Sequence, residues 1–295
     1  MKVWYRFSRF IREHSDSRVL ILLFPALFWL VFFFLVPIAS ILIYSFAERG
    51  TYGGVDWTLT LGNYRRLLDP LYLGILWRSI VTAAVSTAIC LILGYPFAYY
   101  VARYQYRWRN VLLLLVVVPF WTNFLIRTYA WIVILRAEGV LNKLLTAIFP
   151  DITPPELLYT PVAVHIGLIY GYLPFMILPL YASLEQIDGA LIDAAKDLGA
   201  KPWRAFLNVT LPLSLPGVVA GSVLVFIPTV GAFITPDLLG GGKVNYIGNV
   251  IARQFKTARD WPFGSALSFL LMGVVLVGTV VYFRSMKGDV ITPKN

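Results

Sequence analysis

The chain has 295 residues, of which 59% are apolar and only 14% are charged. Its mean hydropathy is +0.74, whereas soluble domains average about 25% charged residues. The composition therefore excludes a water-soluble globular enzyme and predicts an all-α integral membrane protein. The formal net charge of +10 is spread over the loops without a clustered basic face, so it does not indicate nucleic acid binding.

Six apolar segments are long enough to cross a bilayer, which takes about 20 residues. They are Val19–Phe46, Leu73–Val101, Val111–Leu135, Pro161–Ala182, Ser214–Thr235 and Ser265–Phe283. Residues 1–18 would form an N-terminal segment, residues 19–283 the transmembrane domain, and residues 284–295 a C-terminal tail. We expect the first segment to be retained, because it is longer than the roughly 7–15 apolar residues of a secretory signal.

The loop at residues 102–110 holds three arginines and no acid. Positive residues in short loops favour the cytosolic side. We therefore expect a multi-pass protein of the cell membrane with both termini and the loop at 183–213 in the cytosol. Two outer loops carry apolar residues at helical spacing and predict amphipathic helices. These residues are Leu141, Leu144, Leu145 and Ile148 in one loop, and Ile247, Val250, Ile251 and Phe255 in the other. Each helix would lie along the outer membrane surface, cap the bundle, or offer a docking surface to an external protein.

Residues 188–212, which we call the cassette, predict two short helices between long apolar segments. Asp188 suits an N-cap, and Gly199 suits a residue with positive φ that ends the first helix. Pro202 suits the first turn of a second helix, which Pro212 would end before the fifth span. A polar, ordered cassette in a membrane protein either docks another protein or packs on its own bundle.

The cassette also carries the pattern D-A-A-x-x-x-G-x9-V-x-L-P, beginning at Asp193. This pattern resembles the E-A-A-x-x-x-G-x9-I-x-L-P loop of permease subunits in binding-protein-dependent ABC importers. Asp193 stands where that family usually has Glu, and Val209 where it has Ile. The resemblance implies the type I ABC importer permease fold. It also implies that the following residues couple the chain to an ATPase: Asp193, Ala194, Ala195, Gly199, Pro202, Leu211 and Pro212.

Further stretches resemble the spermidine/putrescine branch of this family, the PotB/PotH type. They are Leu67–Tyr72, Gly94–Ala98, Val118–Tyr129, Leu173–Met176, Asp237–Gly241 and Arg259–Gly264. The resemblance implies a PotA-like ATPase dimer, a second PotC-like permease, a PotD-like extracytoplasmic polyamine-binding protein and membrane lipid as partners. No cofactor is expected in this chain, because ATP and Mg would bind to the partner ATPase.

The sequence has no G-x-x-x-x-G-K-[ST] phosphate-binding loop. It also has no recognisable nucleophile–base pair or metal cluster, so we expect a transporter subunit rather than an enzyme. The span interiors carry no carboxylate, which favours an ATP-driven pore over an ion-coupled carrier. The same role with iron, phosphonate or sulfate as cargo remains an alternative, as does a stand-alone channel or secondary carrier.

The third segment is the least lipid-like and predicts a substrate pathway. The candidate residues are Trp121, Thr122, Asn123, Arg127, Tyr129 and, at the end of the fifth segment, Asp237. Aromatic rings there could offer cation–π faces to a polyamine, although an aromatic belt is the competing explanation for Tyr129. Arg127 would either snorkel to the headgroups or face the bundle and pair with an acid, with Asp237 as the candidate.

Overall fold

The computed structural model describes residues 15–103, 107–150 and 154–290. Almost all regular structure in these residues is helical. The helices are α1 (Ser15–Leu30), α2 (Val36–Ser45), α3 (Gly62–Leu67), α4 (Pro70–Arg103), α5 (Arg109–Val117), α6 (Phe124–Leu135), α7 (Val140–Ile148), α8 (Pro161–Glu185), α9 (Gly189–Asp197), α10 (Pro202–Ala205), α11 (Leu211–Val230), α12 (Ile234–Gly240), α13 (Ile247–Arg253) and α14 (Trp261–Val290). Strands β1 (Glu48–Arg49) and β2 (Val55–Asp56) pair antiparallel. Short π turns lie at Val31–Leu35, Phe206–Thr210 and Gln254–Ala258, and a 3-10 turn lies at Val118–Trp121.

Within the described residues, five helices are long and apolar enough to cross a membrane. They are Leu23–Ser45, Pro70–Arg103, Pro161–Glu185, Pro202–Val230 and Trp261–Val280. Five of the predicted apolar segments are thus confirmed as helices of spanning length, with shifted ends. The N-terminal segment predicted at 1–18 lies mostly outside the described residues, as does the last part of the predicted C-terminal tail.

The third predicted span, Val111–Leu135, is not one continuous helix. Helical segments Arg109–Trp121 and Phe124–Ile148 are together apolar enough to form a sixth span, but they are bent by 93° where they meet. The break falls at Thr122, whose extended backbone ends the 3-10 turn, and at Asn123, which caps α6. Pro119 lies within that turn and cannot donate a helical hydrogen bond, which favours a break there.

Helices α4, α8 and α11 pack against one another and form the centre of the bundle. Glycines allow α11 to approach α8 closely. A Cβ atom at Gly217 would lie 2.7 Å from the Pro179 carbonyl oxygen, and one at Gly221 would lie 3.1 Å from the Met176 carbonyl oxygen. Small residues at such crossings bring backbones together and increase dispersion contacts, which supply much of the association energy of helices in lipid.

The two ends of the bundle differ in structure. The cassette, the end of α4 and the start of α5 lie at one end, which we call the cassette end. The β1–β2 hairpin, α3, α7, α12 and α13 lie at the other, which we call the hairpin end.

At the hairpin end, an ion pair joins α3 to the start of α14. Arg66 Nη1 donates to Asp260 Oδ2 at 2.9 Å, and the Arg66 guanidinium lies 3.9 Å from the centroid of the Phe263 ring. Asp260 is almost fully buried and also accepts from the Phe263 N–H at 3.2 Å. Although partial burial lowers the pKa of Arg66, hydrogen bonds with Tyr72 and Asp260 raise it overall, so Arg66 stays charged. The pair anchors the first turn of α14.

The two amphipathic helices predicted in the loops at this end exist as α7 and α13, but they differ in burial. Val140, Leu144 and Ile148 of α7 are exposed, as expected for a helix at a membrane surface. Helix α13 instead packs into the bundle, where Ile247 and Asn249 are fully buried. Of the alternatives for this helix, α13 therefore follows the one in which it packs on the bundle. Its apolar residues contact α4 and α14.

Candidate functional site: the cassette and the broken third span

The first half of the cassette folds as the sequence predicts. The Asp188 side chain caps α9 by accepting from the Ala190 N–H at 3.0 Å. Gly199 follows the helix with a φ of +86°, and a Cβ atom there would meet no heavy atom within 4 Å. The requirement for glycine at this position therefore comes from backbone conformation rather than from crowding.

Helix α9 presents apolar side chains outward. Every residue of α9 is at least partly exposed, and Leu191 and Ala194 lie on its accessible side. Beyond the helix, Leu198 is 89% exposed and Trp203 is 57% exposed. Ala195 is only half-exposed. The helix face that carries Leu191, Ala194, Ala195 and Leu198 is therefore turned partly toward the bundle and mostly toward solvent. We call the exposed residues Leu191, Ala194, Leu198 and Trp203 the cassette surface. Exposed apolar side chains at neighbouring positions mark it as a candidate protein-docking site.

The second half of the cassette departs from the prediction at Pro212. Helix α10 does not end there but continues through the π turn into α11, giving one helical segment from Pro202 to Val230. In the π turn the Leu211 N–H bonds to the Phe206 carbonyl, five residues earlier. The wider π turn accommodates Pro212, which follows it. Proline has no N–H to donate, and the wider turn relieves the clash between the proline ring and the carbonyl group four residues earlier.

Aromatic and polar contacts fix this continuous helix to α4. The Phe206 ring meets the rings of Tyr95 and Tyr99 edge-on, each at 5.7 Å between centroids. About two turns further on, the Tyr95 hydroxyl and Ser214 Oγ are 2.7 Å apart. The start of α11 is therefore held at a defined position beside the cassette surface.

Asp193, which replaces the usual glutamate of the motif, is exposed and paired within its own helix. Lys196 Nζ donates to Asp193 Oδ1 at 2.9 Å. An exposed pair of this kind contributes only about 0–1 kcal/mol, so it holds the carboxylate in place without preventing exchange for another cation. At the edge of the cassette, Arg109 and Glu185 form a second ion pair that joins α5 to the end of α8.

Three of the predicted pathway residues form the break in the third span. Trp121 is 75% exposed. Thr122 Oγ1 donates to the Pro119 carbonyl at 2.7 Å, and Asn123 Oδ1 accepts from the Leu125 N–H at 2.8 Å. The hydroxyl and amide are thus used to turn the chain, while the Trp121 ring is left accessible. Tyr129, one and a half turns into α6, is also exposed.

The predicted pairing of Arg127 with Asp237 is not formed. Arg253 Nη2 lies 3.3 Å from Asp237 Oδ1, because α13 brings Arg253 to the end of α12. Arg127 instead stacks on aromatic rings, with its guanidinium carbon 4.9 Å from the Phe120 centroid. Its Nε and Nη1 atoms are buried and have no hydrogen-bond partner among the described residues. Although α6 and α12 pack against each other, Arg127 and Asp237 therefore have different partners.

Neither the break in the third span nor the ion pair between Arg253 and Asp237 was predicted from the sequence. Pro119 favours a turn, and Asn123 favours the start of a new helix. Both lie within an apolar run, and the high hydropathy of that run led to the prediction of one continuous span. Arg253 had no comparable signal, because its partner is set by the fold of the 231–260 segment.

Comparison with known proteins agrees with this architecture. Residues 91–287 match the family described as binding-protein-dependent transport system inner membrane component. The chain is 45% identical to the spermidine/putrescine transport system permease protein PotB of Escherichia coli, over 88% of this chain and 94% of that protein. It is 44% identical to PotB of Haemophilus influenzae, over 88% of this chain and 91% of that protein.

A solved structure shares the fold. It is a bacterial alginate ABC transporter in complex with an alginate pentasaccharide-bound periplasmic protein, with a TM-score of 0.70 at 18% identity over 99% of both chains. Together, the matched family region, the close relatives and the fold establish that this chain belongs to the binding-protein-dependent transport system inner membrane components, the permease subunits of ABC importers.

Proposed function

We propose that the chain is the permease subunit of a polyamine importer of the spermidine/putrescine type, driven by ATP hydrolysis in a separate subunit. The observation that carries the coupling role is the cassette surface, which is exposed, apolar and continuous with a spanning helix through residues 202–230. The polyamine cargo is supported by the names of the two PotB relatives at 44% and 45% identity.

In this proposal the cassette end faces the cytosol together with both termini, and an ATPase dimer binds below it with one copy on the cassette surface. ATP and Mg bind to that dimer. A second permease subunit completes the pore, and an extracytoplasmic binding protein delivers the polyamine at the hairpin end. The periplasmic protein in the alginate transporter structure supports this last arrangement by analogy of fold.

The ATPase would drive transport through a difference in affinity. A bound ATPase dimer shifts the pore between conformations only if it binds one of them more tightly. Movement of α9 would be transmitted to α11, because α9 packs against α10 and the π turn that continue into α11. Along the pathway, the accessible rings of Trp121 and Tyr129 would contact the ammonium groups of the cargo by cation–π interaction.

Two glycines with the same backbone conformation provide a test. Gly199 in the cassette and Gly54 at the hairpin end both have a φ of +86°, and both have open space around the missing Cβ. A valine strains the backbone at either position, since a β-branched residue at positive φ is strongly disfavoured. We expect Gly199→Val to reach the membrane in normal amount but to lose co-purification of the ATPase and uptake of radiolabelled spermidine. Gly54→Val should retain the ATPase.

The assay separates the two parts of the proposal. Full uptake and full ATPase recovery with Gly199→Val would overturn the coupling role of the cassette. Unchanged spermidine uptake in cells that lack this chain, with the ATPase still recovered on it in a complemented strain, would overturn only the polyamine cargo.

A further inference from the structure

A groove at the hairpin end is not used by the proposed transport function. It lies between the first turns of α4, the first turns of α8 and the loop at 243–246, with a volume of about 560 Å³. In the described part of the chain, its lining includes the cations Arg78 and Lys243 and no carboxylate. Trp77 and Tyr159 stand at its rim. The groove is therefore electropositive and bordered by aromatic rings.

The two cations are available to an external ligand. Both side chains are exposed, and within residues 15–103, 107–150 and 154–290 the four ion pairs involve other residues. Guanidinium and ammonium groups carry only donors, so a ligand that satisfies them must supply acceptors and favourably a negative charge.

The depth of the groove matches the headgroup layer of a bilayer. Helix α4 has 34 residues, which is about 51 Å at 1.5 Å per residue, compared with a hydrocarbon core of about 30 Å. About 10 Å of α4 therefore extends beyond the core at each end, and Arg78 lies about 12 Å from its start. Trp and Tyr are enriched at this same boundary, where Trp77 and Tyr159 lie.

An apolar track leads from the groove toward the middle of the bilayer. Trp77, Val81 and Val85 follow one another at intervals of four residues along α4, and all three are exposed. Residues four apart lie on the same helix face. A cationic site above such a track fits an amphiphile whose head is anionic and whose tail is hydrocarbon, rather than a free anion or an acidic peptide.

We propose that this groove binds one membrane phospholipid, with its phosphate held by Arg78 and Lys243 and one acyl chain lying along Trp77, Val81 and Val85. The lipid would connect α4 to the 243–246 segment, which leads directly into the buried helix α13. Its phosphate would neutralise two cations that form none of the four ion pairs found among the described residues.

The first test is native mass spectrometry of the intact transporter complex, released from the membrane with its bound lipids. We expect the wild-type complex to retain one phospholipid that Arg78→Gln with Lys243→Gln loses. The matched control is Arg136→Gln with Lys143→Gln, which removes the same charge from exposed positions at the same end but outside the groove. Equal lipid retention by all three complexes would overturn the proposal.

The second test leaves both cations of the groove, Arg78 and Lys243, in place. A photoreactive diazirine amino acid at Val81, in the complex reconstituted into phosphatidylglycerol nanodiscs, should yield an adduct with the mass of one phospholipid. The adduct should persist when inorganic phosphate is added in excess. An adduct to another protein subunit would overturn the proposal, as would a lipid yield no higher than that from the same probe at Val133, an exposed position on α6 away from the groove.

Discussion

Leu198 offers the sharpest test of the cassette surface, through the change Leu198→Ala. The side chain is 89% exposed in this chain, and complete burial of a leucine contributes about 1.5–3 kcal/mol. If the ATPase covers this position, removal of the side chain beyond Cβ should weaken association by about 2 kcal/mol, or roughly 30-fold in Kd. The fold itself should be unaffected, because the side chain makes few contacts within the chain.

The assay is a titration of purified ATPase subunit onto the permease pair in nanodiscs, followed by fluorescence anisotropy of a labelled ATPase. Leu59→Ala is the matched control, because Leu59 is 87% exposed at the hairpin end. It should leave ATPase affinity unchanged. An affinity for Leu198→Ala within about twofold of wild type, or equal losses for both variants, would refute the placement of the ATPase on this surface.

Three further predictions concern stability and substrate. Asp260→Asn should lower the free energy of unfolding by about 1–2 kcal/mol, measured as a lower apparent Tm in detergent, because the charge-assisted bond from Arg66 is lost. Gly217→Ala should destabilise the complex by about 1–3 kcal/mol in the same assay, since its Cβ would press on the backbone of α8. Trp121→Ala should raise the KM for spermidine about 2- to 30-fold in uptake kinetics, through loss of about 0.5–2 kcal/mol of cation–π interaction.

The glycine and tryptophan variants have matched controls, and the aspartate variant has a contrary outcome. Gly74→Ala adds a methyl group to α4 where nothing lies within 4 Å, so it should not lower the Tm. Trp121→Phe should keep most of the wild-type KM, because a smaller aromatic face remains. An unchanged Tm in Asp260→Asn would mean that Arg66 is held by its ring contact with Phe263 alone.

Hydropathy predicted the spanning helices well, because a run of about 20 apolar residues has few alternatives in lipid. It failed where a local backbone preference acts inside such a run. At 119–123 a proline and an asparagine cap bend the third span by 93°. At 206–212 the opposite happened, and a proline expected to end a helix was accommodated by a π turn. Both outcomes depend on hydrogen bonds of single residues, which averaged hydropathy does not represent.

The contacts among side chains were less predictable than the elements. Asp193, Ala194 and Gly199 lie on or beside an exposed helix as the motif implies, because capping and glycine signals are local. Arg127 was the candidate partner of Asp237, but the cation beside this carboxylate is supplied by α13. The position of a residue along a spanning helix predicts its depth in the bilayer. The packing of the 231–260 segment, which the sequence pattern does not reveal, decides which cation lies beside the Asp237 carboxylate.

The unbroken helical path from Pro202 to Val230 has a mechanical consequence. Its 29 residues make a rod about 43 Å long, and a tilt of about 5° at the cassette would displace the far end by about 4 Å. The far end adjoins Gly231, whose carbonyl lies against Gly248 of α13 so closely that a Cβ there would approach it to 2.5 Å. At this distance the end of α11 cannot move toward α13 without displacing it. A small rotation at the cassette end would therefore shift α13 at the hairpin end, which is the segment that carries Arg253.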